Sequence, residues 1–224
     1  MLRWLALVMV AGCDLVFDVD VPGPNPVGFV QGTAADTSNA FRNETAFLND
    51  TTAGNLAIVG VDWVSASNNL FPSVSDTAGN TYVAIGDTID VGSLHARLFY
   101  AADIAGGPCT VGVELTAIAD VIEVYVHEYT GIATDDPLDG ASLNSSNGFG
   151  AMSSGQARLD HSGDLVFMFG VDGTVTVGPE LTVRSTFHNN MAADTISGPP
   201  GLYDVKATAT SSWSMHMAAF RAAR

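Results

Sequence analysis

From residue 27 onward the chain alternates apolar and polar side chains with a period of two, interrupted at short intervals by Gly, Asn, Asp and Ser. That period belongs to extended chain, where successive side chains point to opposite faces. It is clearest over residues 109–131, CTVGVELTAIADVIEVYVHEYTG. Val111, Val113 and Leu115 alternate with Gly112, Glu114 and Thr116, and Ile122, Val124 and Val126 alternate with Glu123, Tyr125 and His127. β-branched residues dominate both runs, as a half-buried pleated surface prefers. Ala119-Asp120 lies between them and predicts a turn, so the stretch is expected to form an antiparallel hairpin.

The same reading extends along the chain. Residues 27–33 predict a first strand, and the polar stretch 34–54 one or two weak ones anchored by Phe41, Phe47 and Leu48. Residues 55–64, NLAIVGVDWV, predict a strand bounded by turn residues. A Gly-Asn turn within 76–85 leads into another. Over 94–103, Leu94, Ala96, Leu98 and Tyr100 share one face of a strand, with a helix as the alternative. Residues 132–158 form the longest irregular region, rich in Gly, Ser and Asn with little to bury. Residues 164–171, DLVFMFGV, are continuously apolar and predict a strand covered on both faces. Asp172-Gly173 predicts a turn, and 174–177, 181–187, 202–209 and 213–220 further strands. About ten short strands without an amphipathic helix imply two packed antiparallel sheets, an all-β sandwich over 27–224.

The first residues differ in kind. MLRWLALVMVAGC carries Arg3, an apolar stretch from Trp4 to Ala11, and small residues before a cysteine. Val10-Ala11-Gly12-Cys13 resembles the lipobox of bacterial lipoproteins. The resemblance implies a signal peptide over 1–12, lipidation of Cys13, and a protein held on the cell envelope by its N-terminus. Residues 13–26 end in VDVPGPNP, whose prolines suit an extended tether and not a sheet interior. The apolar stretch is shorter than the roughly 20 residues that span a bilayer.

Composition narrows the partners. The formal charge is −16, from 8 basic and 24 acidic residues. Such a surface repels phosphate backbones, so nucleic acid is excluded as a partner, and it disfavours docking on anionic lipid. Cys109 is left as a buried free thiol if Cys13 is lipidated; a disulfide between residues 13 and 109 is the alternative.

Four phrases, AGNLAIVGVDW (53–63), VSDTAGNTYVAI (74–85), GGPCTVGVEL (106–115) and VHEYTG (126–131), resemble jelly-roll modules of secreted bacterial proteins. That resemblance implies a jelly-roll-like sandwich related to concanavalin-type and carbohydrate-binding modules, exported, with no settled activity.

Candidate chemistry is sparse. Retaining glycosidases need two carboxylates about 5 Å apart in one cleft. Glu123 and Glu128 are an odd number of positions apart, so a regular strand sends them to opposite faces. No Ser stands in a GxSxG elbow, and Asp160-His161-Ser162 are mere chain neighbours. There is no HExxH and no cysteine pair for zinc. Asp135, Asp136 and Asp139 crowd one segment with Gly140 and are the candidate Ca²⁺ ligands, without EF-hand spacing; Asp76 with Asn80 is a weaker pair. Glu123, Tyr125, His127 and Tyr129 share one strand face, and so form the candidate glycan-binding surface. The expectation is a non-catalytic, envelope-displayed lipoprotein that acts as a binding or adhesion module, for a glycan in the first instance. The alternative is an assembly component that recognises an envelope protein through a sheet edge.

Overall fold

The computed structural model describes residues 26–171 and 173–224. Cys13, the segment 1–12, the tether 13–26 except its last residue, and Asp172 of the predicted turn lie outside the described residues. The chain first forms β1 (Gly28–Ala46), β2 (Leu56–Val64), β3 (Pro72–Asp76), β4 (Val83–Val91), β5 (Leu94–Ala101) and β6 (Thr110–Thr130). These make one six-stranded sheet in the order β1-β6-β2-β5-β4, with β3 also on β6. Next come β7 (Leu138–Ser146), β8 (Gly150–Ser153), β9 (Ala157–Leu159), β10 (Leu165–Val171), β11 (Val175–Val177) and β12 (Thr182–Ser185). After a 3₁₀ turn (Phe187–Asn189) follow β13 (Met191–Ile196), β14 (Gly201–Tyr203), β15 (Lys206–Ala209) and β16 (Trp213–Phe220). The second large sheet has the order β12-β13-β10-β16-β7, and two small sheets, β11-β15-β8 and β14-β9, complete the set. All these pairings are antiparallel, as an all-β sandwich predicts.

The two large sheets meet over Leu56, Ile58, Leu98, Tyr125 and Tyr129 on one side and Leu165, Phe167, Phe169 and Phe220 on the other. The opposite face of the five-stranded sheet, with Val166, Met168, Met215 and Met217, packs under Met152, Leu159, Val175 and Ala207 of the small sheets. Every residue of β10 is therefore buried, as its unbroken apolar run predicts.

A third apolar layer arises because β1 and β6 double over. Val111, Val113 and Leu115 in the first half of β6 pack with Val59, Val61, Trp63, Val124 and Val126 of the same sheet. Asn43 Nδ2 pins the fold, donating to Ala35 O at 3.2 Å and to Ile122 O at 3.1 Å. Along a straight strand residues 35 and 43 would stand about 26 Å apart. The bend falls where the register jumps, from Ala40 opposite Ala119 to Arg42 opposite Glu114, beside Asn39 at φ 50°.

Three sequence expectations need correction. Residues 109–131 form no hairpin: β6 is one strand of 21 residues. Its partner β1 accompanies it from end to end, so the largely exposed stretch Thr116–Asp120 is a bend and not a chain reversal. The polar stretch after residue 33 continues β1 to Ala46, because an edge strand may keep polar side chains in water while its backbone pairs on one side. The supposed loop 132–158 holds β7, β8 and part of β9, whose exposed side chains conceal the period while backbone pairing to β16 and β15 supplies the order. Residues 94–101 are a strand, and not the alternative helix.

Candidate functional site

The predicted glycan face lies inside the sandwich. Glu123, Tyr125, His127 and Tyr129 do share one face of β6, but that face meets the five-stranded sheet, and Tyr125 and Tyr129 are 0% and 1% exposed. Tyr125 donates to Glu123 Oε2 at 2.6 Å and accepts from Asn190 Nδ2 at 2.8 Å. Glu123 also accepts from His188 Nδ1 at 2.7 Å, which holds the exposed His188 ring above its ordinary pKa. Tyr129 donates to Asp194 at 2.6 Å, and Asp194 binds Arg184 through both oxygens. His127 sits between Phe29 and Phe167 with neither ring nitrogen hydrogen-bonded. Burial drives the Tyr125 and Tyr129 phenols upward and His127 down to about 3. A buried aromatic row packs; it offers no sugar-stacking platform.

Glu128 points to the other side of β6, as its spacing from Glu123 predicts. It is wholly buried and accepts from Gln31 Nε2 at 2.6 Å, Thr52 N at 2.8 Å and Asn55 Nδ2 at 2.6 Å. The two glutamates cannot converge on one bond.

The predicted calcium trio is divided. Asp135 and Asp136 stand on the rim of a cleft of about 320 Å³ that Ala133, His161, Arg221 and Arg224 also line. Arg221 Nη2 pairs with Asp136 at 3.0 Å and donates to Asp135 O at 3.1 Å. Asp139 instead turns to the 160–164 segment. Its Oδ1 accepts from His161 Nδ1 at 2.7 Å, and its Oδ2 from the backbone N–H of Asp160 at 2.8 Å and of His161 at 3.2 Å. Gly140 allows this approach, because a Cβ there would lie 2.7 Å from Arg158 O. Asp164 completes the group: one ligand atom from each of Asp139, His161 and Asp164 lies within 4.8 Å of the others. Burial opposes the ionised form of Asp139, but bonds from His161 and the Asp160 N–H outweigh it and hold the carboxyl low. Burial and the neighbouring Asp139 push Asp164 up to about 6.

Sequence reasoning found one member of this group. His161 and Asp164 lie more than 20 positions from Asp139, and only the docking of β7 beside β9 brings them together. The second calcium candidate is a filled turn: Asp76 accepts from Ala78 N, Asn80 N, Asn80 Nδ2, Tyr82 Oη and the Cys109 thiol. Cys109 is a buried free thiol, pushed up to about 12 by burial and the Asp76 charge.

No family model, curated protein or solved structure matches this chain.

Proposed function

We propose that the protein is a non-catalytic, lipid-anchored envelope component that assembles with another protein through the free edge of β1. The observation that carries this reading is the edge itself. β1 runs for 19 residues at the margin of its sheet, and among the described residues it pairs only with β6. Between Gly28 and Phe41 its one charge is Asp36. Long edges are ordinarily guarded by lysine, proline or a covering element, since unpaired N–H and C=O groups invite another strand. An extended segment of a partner would add to such an edge by main-chain hydrogen bonds. At the bend of the same ribbon Phe41 and Ile118 are exposed, as is Phe71, whose N–H donates to Thr116 Oγ1, and they supply apolar surface for contact. A glycan ligand has less support, because its expected platform is buried.

Photo-crosslinking side chains placed singly at Thr33, Asp36 and Ser38 in intact cells test the edge. The same envelope protein should be captured from all three positions, and a Lys at Ala35 should abolish the adducts. Absence of any common adduct would count against edge pairing.

The anchor is separable. Cys13→Ala should move the protein from the membrane to the soluble fraction, whereas unchanged membrane association would remove the lipid from this proposal.

A further inference from the structure

We propose that Asp139, His161 and Asp164 form a binding site for one divalent transition-metal ion, with Zn²⁺ the best match. An Asp–His pair by itself is an ordinary ion pair; Asp164 makes this one different. Asp164 is 1% exposed, yet among the described residues its Oδ2 meets no donor, its Oδ1 has only the Ala222 N–H at a long 3.4 Å, and the Asp139 carboxyl bonds to it only if the two share a proton. A buried carboxylate set beside a second one needs positive charge between them, from a proton or from a metal. The donor set favours the metal. Imidazole selects zinc and its neighbours over Mg²⁺ or Ca²⁺, and Ca²⁺ would want six to eight oxygens.

The three ligand atoms already lie within 4.8 Å of one another, and the one short spacing needs little adjustment. Two ligands at tetrahedral zinc stand about 3.3 Å apart. His161 Nδ1 and Asp139 Oδ1, at 2.7 Å, would separate by roughly half an ångström on taking up the ion. The outer support is already present. The backbone N–H groups of Asp160 and His161 hold the second oxygen of Asp139, which fixes the carboxylate and the loop carrying the imidazole. Three protein ligands leave one tetrahedral position open, and His161 itself lines the cleft bounded by Asp135, Asp136 and Arg221. Water, or a donor from a partner, would occupy that position. None of the three ligands belongs to β1, so each idea can fail without the other.

Chelator-treated, tag-free protein titrated with ZnCl₂ in a calorimeter should bind one ion per chain. At a free concentration near 100 times Kd the melting temperature should rise by about 5–10 °C. Asp164→Asn and His161→Gln should each weaken binding by about 100-fold or more and abolish the thermal shift. Asp139 is left intact because it also holds the loop backbone. If a shared proton is all that links the carboxylates, the melting temperature of the wild-type protein will not respond to zinc. That result overturns the proposal, as does wild-type protein without saturable binding. Zinc affinity retained in both variants places the ion elsewhere and also overturns it. CaCl₂ binding tighter than ZnCl₂ would remove His161 from the ligand set. Should Asp164→Asn misfold, His161→Gln, with a partly exposed side chain, carries the test alone.

Discussion

Acidification from pH 6.5 to pH 4 should weaken the fold by about 1.4 kcal/mol per pH unit for each of two histidines, His127 and His216. Both are wholly buried, and burial lowers His127 to about 3 and His216 to about 4 from an ordinary 6.5. His127 has no hydrogen bond on either ring nitrogen, and His216 approaches the Asp87 backbone without reaching hydrogen-bond geometry. Above pH 6.5 the rings are neutral in both folded and unfolded chains, so they add no pH-dependent term. Below it the unfolded chain takes up protons that the folded chain refuses. Stability is therefore lost as pH falls through this window. Asp164 acts in the opposite sense: raised to about 6, it favours the folded state as pH falls from 6 toward 4, offsetting about one histidine's slope. Urea unfolding at pH 7, 6, 5 and 4, with chelator present, measures the sum. The double variant His127→Leu, His216→Leu should lose the acid weakening over this range while remaining near wild type at pH 7. An acid limb of unchanged slope in that variant would show that the two rings do not drive it.

Replacing Glu128 should cost more at neutral pH than replacing Asp139, His161 or Asp164. Its two oxygens satisfy three donors from β1 and the segment before β2, and among the described residues no lysine or arginine pairs with it. Gln31 extends the network, exchanging bonds with the backbone of Asn49 at 2.9 and 3.1 Å. Glu128→Gln turns one acceptor into a donor aimed at other donors, at a cost of about 2–4 kcal/mol. Glu128→Ala leaves all three donors unpaired, about 3–5 kcal/mol, with the melting temperature down by roughly 10 °C. Thermal melts of the two variants decide the matter, and losses below about 1 kcal/mol in both would mean that water replaces the carboxylate.

The Glu128 network shows where local sequence pattern loses its power. Period-two alternation places Glu123 and Glu128 on opposite faces, and the structure puts them there. Nothing local says which face meets water, because β6 lies between two apolar layers and both faces are covered. Polar side chains on a strand ordinarily signal solvent, so Tyr125, His127 and Tyr129 suggest a wet surface. Here their polar atoms, His127's excepted, find partners on β13 and the 3₁₀ turn instead. The same ambiguity concealed the length of β1 and β6. A break in the alternation looks alike whether the chain reverses or the strand bends, and only the partner strand tells them apart.

The order of apolar and polar residues by itself determined that this protein is built of antiparallel strands, that β2, β5, β10 and β16 are strands, and that β10 is covered on both sides. Those properties follow from local periodicity and β-branched composition, which act over a few neighbouring residues. Only the tertiary structure decided that the first sheet folds over itself, that the expected ligand face is interior, and that Asp139 stands with His161 and Asp164 and not with Asp135 and Asp136. Each of these depends on which strands lie side by side, and pairing across tens of residues is set by the fit of whole faces, a quantity that no local stretch of sequence contains.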